Sequence, residues 1–171
     1  MICFRQAART RVLLLLGIIC AGAPAAGAPS VELSIIGAGP RQMEPTLQQS
    51  IPRDYVKAWQ VLSTALEEGN PKLLDQYWVG VARDKFQRLV DDESRAGIQI
   101  RYTDISHKLQ AVFYPSDGAA LLLYDNVQLE MKVLRSTRVI HTQTMGMRYL
   151  VLMTPAQDRW VVRVLQEAPL S

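Results

Sequence analysis

The sequence predicts an α+β domain: N-terminal helices packed on one face of an antiparallel sheet of four strands or more. Three observations predict it. Apolar residues from Tyr55 to Val90 recur at helical spacing, the apolar period shortens to two after Gly97, and the segments PSDG, RST and TPAQDR divide the second half at turn-forming residues. When helices precede a run of hairpins, the helices are left to cover one sheet face.

The chain begins ahead of that domain. Arg5, Arg9 and Arg11 precede an apolar run from Val12 to Ala21, followed by AGAPAAGA, and no acidic residue occurs before Glu32. Basic start, short apolar core and small residues are the three parts of a secretory signal peptide. The core of about ten residues falls short of the ~20 that span a bilayer. Residues 1–25 are therefore expected to be a cleaved leader, with Ala25 or Gly27 as its last residue and an uncleaved membrane anchor as the alternative. Cys20 lacks the small preceding residue of a lipidation site, having Ile19 there, and Cys3 is also in the leader. Without the leader no thiol remains for disulfides, catalysis or metal.

Residues 26–52 carry Pro29, Pro40, Pro45 and Pro52 with Gly27, Gly37 and Gly39. This density predicts a tether, with VELSII as a short strand at most. The domain is expected over 53–168. Tyr55, Trp59, Leu62 and Leu66 mark one helix face, and Gly69 stops that helix. Asn70-Pro71 caps a short second helix, and a third runs from about Val81 to Ala96 before Gly97. Its exposed residues, among them Asp84, Lys85, Asp91 and Arg95, mix both signs and read as a solvated face. Strands follow at about 98–114, 119–134, 138–154 and 160–167.

In the second of these strands the odd positions from Ala119 to Val133 are apolar except Asp125, while the even ones include Asn126, Gln128, Glu130 and Lys132. Asp125 is thus an ionisable group on the core face, where it needs a partner. The Ser116-Asp117-Gly118 turn closes a three-residue hairpin that pairs Phe113 with Leu121, Leu109 with Asp125 and His107 with Val127. His107 then lies diagonal to Asp125, within side-chain reach. Ile105, Leu109, Ala111 and Phe113 share that face. Ile98, Ile100 and Tyr102 have the opposite parity, which implies a bulge near Thr103-Asp104. In the third strand, a loop with an odd residue count sets Gln143 and Tyr149 on the face of Asp125, and this register is preferred. An even count sets Arg148 opposite Asp125 instead.

Helices reading DYVKAWQVLSTALEEGNPKLL and a last strand reading DRWVVRVL resemble the nuclear-transport-factor-2-like superfamily over residues 53–167. The resemblance implies a cone: the helices sit in the concavity of a bent antiparallel sheet, with a pocket between them. It also implies that His107 and Asp125 are the positions to watch, because enzymes of that superfamily use an Asp–His pair in the pocket.

Function is expected to be a non-enzymatic exported binding or assembly module, with His107, Asp125, Gln143 and Tyr149 as ligand-binding positions and a small apolar ligand or a protein as partner. The alternative is a lyase- or isomerase-type enzyme. There His107 is the base, Asp125 fixes its tautomer, and Tyr149 or Gln143 orients the substrate. A metal set of His107, His141 and Asp125 lacks ligand spacing, so neither metal nor cofactor is expected. GAGP at Gly37–Pro40 lacks the glycine spacing of a phosphate loop, and no nucleophile elbow is present. Three of the 19 cations lie in the leader, so 16 remain against 16 acidic residues. The near-neutral domain gives no basis for nucleic-acid binding, and a membrane would be met only through an uncleaved leader. The sequence is compatible with a homodimer.

Overall fold

The computed structural model describes residues 29–35 and 37–170. The expected leader, with both cysteines, lies outside the described residues. The elements run β1 (Ser30–Ile35), α1 (Pro45–Glu68), a 3₁₀ helix (Pro71–Gln76), α2 (Gly80–Ala96), β2 (Gln99–Phe113), β3 (Leu121–Arg135), β4 (Arg138–Pro155) and β5 (Trp160–Glu167). The strands form one open sheet in the order β1-β2-β3-β4-β5. The β2–β3, β3–β4 and β4–β5 pairs are antiparallel, and β1 adds a parallel edge, so the sheet is mixed and has five strands. α1 packs against β2 and β5, and α2 against β5, which makes this the expected α+β arrangement.

The segment expected to be a tether is largely regular structure. β1 pairs in register with Ser106–Ala111 of β2, and Val31 and Leu33 are half-buried against the core. α1 begins at Pro45, eight residues before the expected domain start. Pro45 occupies the first turn, where its missing N–H would have no partner anyway. Pro52 sits inside the helix, where it removes one backbone bond and does not end it. The buried stripe of Leu47, Ile51, Tyr55, Trp59, Leu62 and Leu66 runs straight past it. Gly69 and Gly97 close the two helices in the left-handed conformation, at φ 61° and 62°. The second helix is a 3₁₀ turn whose first N–H groups include Lys72, capped by the Asn70 side chain.

Bulges set the sheet's parity. One at Ile105, between Asp104 and Ser106, lies a residue from the expected site, and the pairs Leu109–Asp125 and His107–Val127 are as expected. A further shift at Val112 pairs Phe113 with Leu122 rather than Leu121. Ile105 and Phe113 consequently leave the core face and are exposed. Two buried carboxylates tie helices to strands. Asp54 of α1 accepts the Trp160 backbone N–H at the start of β5 (2.9 Å) and the Arg53 guanidinium (2.9 Å). Glu93 of α2 accepts the Ile100 N–H near the start of β2 (2.9 Å).

Candidate functional site

β3 is flanked by β2 and β4, so Asp125 stands between Leu109 on one side and Tyr149 on the other. His107 occupies the diagonal position and its Nδ1 lies 2.8 Å from Asp125 Oδ2. From the helix layer, the Tyr55 hydroxyl donates to the same oxygen at 2.9 Å. On the far side of the imidazole, Asp104 Oδ2 is 3.8 Å from Nε2, an ion-pair distance beyond hydrogen-bond length. Asp104 Oδ1, Asp125 Oδ1, His107 Nε2 and Trp59 Nε1 are buried without a hydrogen-bond partner.

Aromatic rings close this cluster. Tyr55 meets the His107 ring edge-on at 5.4 Å, Trp59 lies 5.3 Å from it, and Trp59 in turn touches Trp78 and Tyr149. His107 and Asp125 are both 0% exposed. Burial alone would lower the His107 pKa. Asp104 and Asp125 outweigh it and push the value up to about 9, which favours the charged ring. Burial, and then the Asp125 charge, raise Tyr55 well above its ordinary value and keep its proton in place for donation.

The expected His107–Asp125 pair is therefore present, but Gln143 does not join it. It pairs with Met131, six residues along β4 from Tyr149, roughly 20 Å of strand, and is exposed. His141 lies farther out, opposite Val133, so the residues weighed for a metal are not brought together. Tyr149 is opposite Asp125 as preferred, although not through an odd loop. The β3–β4 turn has two residues, Ser136 and Thr137, and a bulge at Ile140 supplies the change of parity. Arg148 faces the other way, its guanidinium 4.1 Å from the Tyr124 ring centre. Tyr149 is buried and gives its hydroxyl to Met147 Sδ (3.1 Å), not to the cluster. A cavity of about 330 Å³ on the opposite sheet face is lined by Ser106, Lys108, Asn126 and Gln128, the neighbours of His107 and Asp125 that point away from them.

Asp104, Tyr55 and Trp59 are site residues that were not anticipated as such. Asp104 continues the even series Ile100, Tyr102 on the helix-covered face just before the bulge, and that series was the signal for it. Tyr55 and Trp59, one turn apart, are core residues by spacing. Only the packing shows that they cap a charge.

No family model matches the chain, and no curated protein matches it. Solved structures do. The intermembrane-space region of the chloroplast protein ARC6 superposes with a TM-score of 0.59 at 12% identity, covering 75% of this chain and 100% of that one. A protein from Catenulispora acidiphila gives 0.50 at 14% identity, over 71% and 92%. The architecture, helices with an open five-strand mixed sheet, is consistent with the nuclear-transport-factor-2-like fold. At these identities the likeness concerns the fold and carries no activity.

Proposed function

We propose that this domain is a non-enzymatic binding or assembly module, working outside the cytoplasm behind its leader, in which His107 and Asp125 hold the core together. The observation that carries the reading is the complete burial of both side chains beneath Tyr55 and Trp59. A general base must reach the proton it removes and must have a free lone pair. His107 lacks the reach, since its whole side chain is buried, with Nδ1 on Asp125 and Nε2 enclosed beside Asp104. A partner of protein or small apolar character meets the outer surface, where Gln143 is available and Tyr149 is not.

The competing reading, an acid–base enzyme built on the same pair, draws on the buried atoms left without a hydrogen-bond partner: His107 Nε2, Asp104 Oδ1 and Asp125 Oδ1. Hydroxyl-radical footprinting of the full chain separates the two, because the radical is as small as water. His141 should be labelled, and His107, Tyr55 and Trp59 protected. Labelling of His107 at a rate comparable to His141 would reveal an open pocket and defeat the structural reading. In a double-mutant cycle, H107Q and D125N should each lose about 2–4 kcal/mol of stability, and the double variant little more than either alone.

A further inference from the structure

β4 is only half covered. β5 pairs with it from Tyr149 to Pro155, the Ala168 N–H reaches the Arg148 carbonyl at 2.8 Å, and Leu170 lies beside Gly146 and Met147. From Arg138 to Met145, among the described residues, the outer side of β4 has no neighbour. That leaves an open sheet edge of about 26 Å, long enough for strand addition. Proteins guard such edges with proline, charged side chains or bulges. Here the guards, Arg138 and the bulge at Ile140, lie at the hairpin end, and from His141 to Met145 the strand has no proline or lysine and an unbroken register with β3. Val139 and Ile140 are 47% and 50% exposed.

We propose that this edge is the docking site for an extended, acidic segment of a partner protein, which joins the sheet antiparallel to β4 as an added strand. Charge selects the occupant. β4 contains no Asp or Glu over its whole length, but carries Arg138, His141 and Arg148. At the hairpin end Arg135 and Arg138 stand directly opposite each other, and neither has an ion-pair partner among the described residues. Like charges opposed across a hairpin are unfavourable. A carboxylate on an incoming strand relieves that repulsion, whereas β4 of a second copy, which contains no Asp or Glu, would bring none. The adjoining surface suits alternating apolar side chains. Met131 and Met145 are only partly buried beside the edge, and methionine adapts its shape to what lies on it.

The proposal rests on the binding-module reading, yet it fails separately: footprinting reports on His107, and the following experiment reports on β4. The probe is a blocked decapeptide of alternating valine and glutamate, offered to the full-length protein, with valine–lysine as control. The expected result is slowed amide hydrogen exchange confined to residues 138–145 with the glutamate peptide, and an affinity that falls with added salt. R135E/R138E, altered only at exposed positions, should bind the glutamate peptide at least about tenfold more weakly and now accept the lysine peptide, with unchanged thermal unfolding. No protection at millimolar peptide, or protection along β1 instead, overturns the proposal. So does protection of 138–145 without peptide: dependence on protein concentration would make the occupant a second copy, and independence would make it a segment of the chain itself.

Discussion

Taking the His107 imidazolium out of water removes its hydration, and Asp104 and Asp125 supply the compensating charge; Glu93, by contrast, is buried with a single N–H to help it. Both groups therefore titrate high, for different reasons. His107 rises from 6.5 to about 9 because its carboxylate partners outweigh burial, and Glu93 rises from 4.5 to about 7 because burial outweighs the Ile100 N–H. In each case the folded state holds the proton more tightly than the unfolded one. Stability is then greatest below the unfolded value and declines as pH passes through the folded one. Urea unfolding should show two declines with rising pH, one between 4.5 and 7 and one between 6.5 and 9, each on the order of 2–3 kcal/mol. E93Q should flatten the first and H107Q the second. An H107Q protein that keeps the upper decline would show that His107 is not the titrating group. The pairing of His107 with Asp125 was legible from alternation and turn chemistry alone. Its protonation was not, because Asp104 enters through a bulge and Tyr55 through packing between layers.

Helices and strands here are joined by single polar contacts as well as by apolar area. Asp54 ties the middle of α1 to the start of β5 through the Trp160 N–H, across more than a hundred residues of sequence. Replacing it with alanine should cost roughly 1–3 kcal/mol, since a buried donor loses its acceptor. Exchange of the Trp160 amide should accelerate more than that of β3. Equal acceleration throughout the sheet would mean that the contact has no local role. At this scale the periodicities located α2, the end of α1 and four strands within a few residues, because each has one buried face. The bulges at Val112 and Ile140 left no mark in composition, and Phe113 was accordingly placed on the wrong face. Proline density concealed β1 and the first turns of α1. Pro52 looks like a boundary until Leu47 and Ile51 are seen to extend the same stripe.

For the molecule as a whole, the boundary at residue 53 is the reading with the largest consequence. A chain begun there lacks β1 and two turns of α1, including the buried Leu47 and Ile51. It should show no cooperative thermal transition by circular dichroism, and melting at the temperature of the full-length protein would make those elements dispensable. The fold class was legible because helices followed by hairpins have few packing solutions, and the balance of 16 cations against 16 acidic residues followed from counting Arg5, Arg9 and Arg11 apart. The open length of β4 was not legible, since it depends on where β5 stops. β1 has a mechanical consequence as well. Its six residues run parallel to β2 with evenly spaced rungs, so tension along its axis from Ser30 loads every rung in shear at once rather than peeling them in turn. A domain pulled by the chain ahead of Ser30 would be held at a joint that shares the load.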